Sequence, residues 1–141
     1  MPADQELLGE EGRERRDHWL SLFVHSPDEP AEVDPEPQLQ AILEHYPEFW
    51  SKRIAPFYAE LYATTGLEPK VVELIVTALV AFKGWETGVR AHTTLAIKSG
   101  ATPDEIRGAI LVTMAFGGVS AAASGLAWAE PVLAAHESGE T

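Results

Sequence analysis

The 141-residue sequence contains no cysteine. That absence excludes disulfides, thiolate nucleophiles, iron–sulfur clusters and cysteine-ligated zinc together. Positive charge is also scarce, with ten Lys and Arg against 22 Asp and Glu and a net charge of −12. Such a surface disfavours nucleic acid and anionic membranes as partners, because both are polyanions. An anionic ligand would need a local cationic patch. Long apolar runs are missing: nothing approaches the roughly 18 residues that suggest a membrane span. The opening "MPADQELLGEEGRERRD" has no apolar signal core. The expectation is a cytoplasmic protein. Strand alternation, hairpin turns and internal repeats are absent. So are an H-E-x-x-H pair, a phosphate-cradling glycine loop and a serine nucleophile elbow. His18, His25, His45 and His136 share no ligand spacing, and no metal or cofactor is expected.

What is present is helical. Apolar residues make up 45% of the chain, enough for a real core at this length. "EEGRERRDHWLSLFVH" (Glu10 to His25) reads as an amphipathic helix that docks through Trp19, Leu20, Leu22 and Phe23. "SPDEPAEVDPEP" (Ser26 to Pro37) packs four prolines and five acids into twelve residues, the composition of an extended linker. Residues 1–37 therefore read as an N-terminal helix plus linker, and 38–141 as a helical domain. A helix to about His45 precedes one from Pro47 to Thr64, which Pro56 should kink or split. Its aromatic stripe, including Phe49, Trp50, Phe57, Tyr58 and Tyr62, has the spacing of a core face. From Val71 to Phe82 only Glu73 and Thr77 are not apolar, as in a helix buried on most sides. "WETGVRAHTTLAIKSG" is the next helix. Thr102, Pro103 and Glu105 then form a capping box with proline at the first helical position. The final helix, rich in Ala, Ser and Gly, permits close packing, and Pro131 should bend or restart it. The chain reads as all-α.

Two residues stand out chemically. Glu73 is a carboxylate in an apolar helix, expensive unless paired or protonated. Its ordinary alternative is an exposed stripe shared with Thr77 and Gly84. His92 shares a helix face with Trp85 and Gly88 at i, i+3, i+7 spacing, while Thr87, Arg90, Thr94 and Lys98 fall mostly on the other side. Its ordinary alternative is a core histidine held by a backbone carbonyl. Lys83, Arg90, Lys98 and Arg107 are the nearby cations. Most read as solvated surface charges, and one of them can meet a substrate carboxylate.

The segment "VVELIVTALVAFKGWETGVRAHTTLAIKSGATPDEIRGAILVTMAFGGVSAAASGLAWAE" resembles the carboxymuconolactone decarboxylase family. That family shares its all-α bundle with the alkylhydroperoxidase D-like proteins. The likeness runs through His92 and "SGATPDEIRGAIL" and, with "FYAELYATTGLEPK", covers roughly two-thirds of the chain. In the hydroperoxidase branch a Glu, a C-x-x-C pair and a His form the site. Glu73 and His92 match the Glu and the His, and Trp85 and Gly88 stand where the cysteines would be. Dithiol peroxide reduction is thereby excluded. The decarboxylase branch keeps the His, lacks the cysteines and uses no cofactor. It typically has no Glu at the place of Glu73, carries an acid near Gly88, and has a Tyr-x-Gly-x-Pro turn where this chain has Phe116, Gly118 and Ser120.

The resemblance implies a cofactor-free lyase on a small unsaturated or lactone carboxylic acid. His92 and Glu73 would be catalytic, and Trp85, Gly88, Phe116 and Arg90 would line the substrate. Isomerisation, dehydration or cyclisation through an enolate would use the same residues. A non-catalytic binding or assembly protein on the same fold is the other reading. The resemblance also implies a homo-oligomer, a trimer or hexamer.

Overall fold

A computed structural model describes residues 3–23 and 37–139, with side chains from Leu8 to Phe23 and from Leu39 to Gly139. The stretch read as a linker lies outside the described residues, apart from Pro37. Among the described residues every regular element is a helix. None of those helices is long and apolar enough to cross a membrane. The contacts divide the chain into two compact units, Met1–Glu68 and Pro69–Thr141.

In the first unit, α1 (Ala3–Phe23) is broken at Gly9, whose φ of 66° is left-handed. The helix proper therefore starts at Glu10, where the amphipathic pattern begins. It packs on α4 (Ala55–Thr64). Trp19 is fully buried and meets Tyr62 edge-on at 4.9 Å between ring centroids. Between α1 and α4 the chain forms α2 (Pro37–His45) and a single turn, α3 (Pro47–Phe49). A π-helical turn, Trp50–Ile54, then leads into α4.

The π turn is the effect of Pro56. Proline has no N–H to give Lys52 and its ring crowds that carbonyl. The helix widens one turn earlier instead, with Ala55 N–H bonded to Trp50 O. Of the kink or split expected at Pro56, the chain shows a local irregularity without a split. The aromatic stripe also differs from its expected role. Phe49, Phe57 and Tyr58 are exposed, whereas Ala55, Ala59 and Ala63 are buried. Alanines at i, i+4, i+8 give α4 a flat face for close helix contact; Phe57 and Tyr58 are left on its other sides, while Tyr62 packs on Trp19.

The second unit is a bundle of α5 (Pro69–Lys83), α6 (Glu86–Lys98), α7 (Pro103–Val112) and α8 (Met114–Glu137). Helix α5 contacts each of the other three, which is why its sequence is nearly all apolar. Val80, Val89, Ile106, Ile110 and Leu133 lead the core. Gly125 of α8 lets that helix close on its neighbours, since a Cβ there would stand 2.8 Å from Ile110 and 2.9 Å from Ala81. The capping box at Thr102 is formed in both directions: Glu105 N–H donates to Thr102 Oγ1 at 3.1 Å, and Thr102 N–H to Glu105 Oε1 at 3.0 Å. The break in α8 falls at Gly118 (φ 74°, ψ 179°), and the helix runs on through Pro131. A glycine at left-handed φ interrupts a helix more completely than a proline whose only lost partner is one carbonyl.

Candidate functional site

The site begins at the α5–α6 connection. Gly84 adopts a φ of 78° and ends α5 with two reversed hydrogen bonds: Gly84 N–H to Ala81 O and Trp85 N–H to Val80 O, both 3.0 Å. This is a Schellman closure, which needs a residue tolerant of left-handed φ and sets the following side chain against the helix. Lys83 and Trp85 are thus fixed on either side of Gly84. Trp85 also opens α6, so only two residues separate the helices. Such a short connection holds α5 and α6 side by side.

That packing brings Glu73 and His92 together. Glu73 Oε2 lies 3.0 Å from His92 Nδ1, with the carboxylate side chain 1% exposed and the imidazole 18%. Thr77, also buried, donates its hydroxyl to Glu73 O at 2.7 Å, so no exposed Glu73–Thr77 stripe exists. His92 meets a carboxylate where the ordinary reading gave a backbone carbonyl. With its proton on Nδ1, the ring donates to Glu73, and Nε2 becomes the basic nitrogen. A histidine so oriented passes protons at one defined atom.

Trp85 and Gly88 form an interlocked pair. A Cβ on Gly88 would stand 2.9 Å from Trp85 Cδ2, 3.0 Å from Cε3 and 3.2 Å from Val80 Cβ. The indole therefore lies over the first turn of α6 in space that only a glycine leaves open. At these two positions the chain places one ring and a gap cut to fit it. Two buried polar atoms here have no hydrogen-bond partner: Trp85 Nε1, and Thr93 Oγ1 next to His92. An unpaired buried donor costs about 1–3 kcal/mol.

The remaining candidates are placed elsewhere. Arg90 lies on the exposed side of α6, paired with Glu86 at 3.4 Å. Phe116 is 92% exposed, beside the Gly118 break. A polar cleft of about 460 Å³ between α7 and the end of α8 is lined by Thr102, Pro103, Asp104, Arg107, His136 and Glu137. Arg107 in that cleft is already held by Asp104, Glu130 and Glu137, so it offers an anion little. What sequence reasoning left among surface charges is Lys83, whose ammonium sits 5.5 Å from the Trp85 ring centroid. The signal for it was the order Lys-Gly-Trp after an apolar helix, which is the pattern of a Schellman closure.

Comparison with curated proteins and with solved structures gives no match. The profile of one family does match, over residues 50–131, more than half of the chain and the part that contains Glu73, Trp85, Gly88 and His92. By that match, the chain belongs to the carboxymuconolactone decarboxylase family.

Proposed function

We propose that the protein is a cofactor-free lyase that decarboxylates a small unsaturated or lactone carboxylic acid. The observation that carries this reading is the buried Glu73–His92 couple at 3.0 Å. In such a reaction the C–C bond to the carboxylate breaks and its electron pair passes to a conjugated carbonyl. CO2 leaves, and an enolate remains. His92 first takes a proton from solvent at Nε2; as the imidazolium it gives that proton to the carbon and returns to the neutral Nδ1–H form. Glu73 holds the tautomer and stabilises the transient imidazolium. Trp85 walls the site and keeps water from the enolate. Isomerisation, dehydration or cyclisation through the same enolate would use the same groups.

The test is CO2 release, by mass spectrometry, from a panel of carboxylated lactones and β-keto acids. Release by the parent and its loss in His92→Ala would support the lyase. Products of isomerisation or dehydration without CO2 would keep the site and change the reaction. Ligand-dependent stabilisation with no turnover of any acid would favour a binding protein.

A homo-oligomer and a cytoplasmic location belong to the same proposal. The oligomer is supported by an apolar face on the second unit. Ile75, Leu79 and Phe82 follow i, i+4, i+7 along α5 and are 45%, 59% and 52% exposed. Phe82 abuts Gly117, which joins the stripe to the exposed Phe116 and Val119. A contiguous apolar face of this kind marks an interaction surface more often than a free one.

A further inference from the structure

We infer that two copies of the chain pair face to face, about a two-fold axis through the outer side of α5 and the corner at Gly118, and that the pair leaves the Glu73–His92 couple untouched. This rests on the oligomer reading above, whose symmetry and surface it names, and is independent of the lyase.

The first ground is area. Ile75, Leu79 and Phe82 of α5 are joined by Val112, Phe116 and Val119 around the Gly118 corner, and all six are between 45% and 92% exposed. Phe82 makes the patch continuous. A Cβ on Gly117 would stand 3.0 Å from its Cδ2 and 3.3 Å from its Cε2, so the ring lies against the turn that carries Phe116. Val112 stands one helical turn before Phe116, and Val119 follows Gly118, whose φ of 74° turns the chain. At roughly 150–200 Å² for a fully exposed side chain of this size, the six offer about 700 Å², above the roughly 300–600 Å² of the largest apolar patch on a typical monomer. Each partner in a standard stable interface brings about 800 Å². The patch has the size that a second protein covers.

The second ground is charge. The chain carries −12 overall, so two copies repel over most of their surface. No charged residue occurs from Gly108 to Ala129, and between Lys70 and Lys83 the only one is Glu73, which is buried. The patch is therefore where a second copy meets least repulsion. A basic partner would be drawn to the acidic surface elsewhere, since these six side chains present no carboxylate to it. An apolar face without charge complements itself, and self-pairing closes after two copies. A head-to-tail ring would need a second, different face to receive this one.

The third ground is direction. At 3.6 residues per turn, Ile75, Leu79 and Phe82 point about 120–180° around α5 from Glu73. Glu73 faces α6, where it meets His92 at 3.0 Å, and the stripe faces solvent on the opposite side. A copy docked on the stripe contributes no group to the couple, and each chain holds its own acid and base.

A chain without cysteine allows a direct test, because a residue near a two-fold axis lies beside its own counterpart. Leu79→Cys, Phe82→Cys and Phe116→Cys, each made alone, are treated at micromolar concentration with a short bis-maleimide. The expected result is a cross-linked species of twice 15.3 kDa from at least one of them, and none from Phe57→Cys on the exposed side of α4. In sedimentation equilibrium, Phe116→Ser should raise the dissociation constant of the pair by about tenfold or more, and Phe57→Glu should leave it unchanged. Phe116 is 92% exposed, so its replacement does not endanger the fold. The imidazole nitrogen NMR signals of His92 should be the same in the parent pair and in the Leu79→Glu protomer. A clean protomer in the parent would sink the pair and the oligomer together. A three-copy particle, dissociation by Phe57→Glu, or no cross-link from any of the three cysteines would overturn the pair and keep the oligomer. A His92 tautomer that changes in the Leu79→Glu protomer would put the partner at the couple and overturn the geometry. None of these readouts uses turnover, so the lyase stands or falls separately.

Discussion

His92 and Glu73 are the residues on which the proposed chemistry turns. On whichever acid the CO2 screen identifies, His92→Ala is expected to lower kcat by about 10²–10⁴-fold, the usual worth of a positioned general acid. The change also leaves the Glu73 carboxyl buried without the imidazole, so the melting temperature should fall, and kcat is compared at a temperature where the variant is folded. Glu73→Gln keeps the volume but offers an amide to Nδ1. It should lower kcat with a smaller effect on KM, because the histidine tautomer is no longer fixed. A matching loss of kcat in both single variants and in the double variant would show that the two act as a unit; additive losses would separate them. Gly88 makes a second prediction. Alanine is the better helix former by about 1 kcal/mol, yet Gly88→Ala should destabilise the protein by about 1–2 kcal/mol because its Cβ enters the indole. In a Trp85→Ala background the same change should be neutral or favourable. Chemical denaturation of the four proteins measures this coupling, and simple additivity would refute the interlock.

At the level of elements, two devices fix α7 against its neighbours. The Thr102 box satisfies two backbone donors at the α7 start, so Thr102→Ala should cost about 1 kcal/mol in a urea titration. Arg107 ties α7 to α8 through Glu130 and Glu137. Hydrogen bonds from Arg107, ahead of its charge, hold the Glu130 carboxyl below its ordinary value of 4.5. A carboxyl lowered in the folded state stabilises it above the ordinary value, and that contribution fades as pH falls through the lowered one. The stability gap between the parent and Arg107→Met should thus be open near neutral pH and narrow as pH falls below the ordinary carboxylate range. Because the cluster is solvated, the gap should be small and shrink with salt. A gap that widens in acid would contradict the assignment.

For the whole molecule, the apolar face along Ile75, Leu79 and Phe82 predicts assembly. Light scattering after size exclusion should give a multiple of 15.3 kDa. Leu79→Glu should shift it toward the protomer, because a charge directed into an apolar contact must be desolvated. A clean protomer in the parent would remove the oligomer and leave the exposed face unexplained.

Much of this was legible in the residues themselves. The all-helical class, the α7 start and the exclusion of thiol chemistry follow from periodicity, from Thr-Pro-x-Glu and from a missing element, all of which act locally or by composition. Glu73 and His92 could be singled out because a polar group in an apolar pattern is conspicuous along the chain. Their bond could not, since 19 residues separate them and only the two-residue connection at Gly84 and Trp85 aligns the helices that carry them. The aromatic stripe of α4 shows the converse in part: Tyr62 packs on Trp19, but Phe57 and Tyr58 are exposed and the alanines between the rings are buried. Periodicity states which residues share a face; it does not state which face another helix will cover. The sequence alone determined what each helix is and what chemistry the chain lacks, because those are properties of neighbouring residues. The tertiary structure alone decided which acid meets which base and which face of each helix is covered, because those depend on distances between residues far apart in the chain.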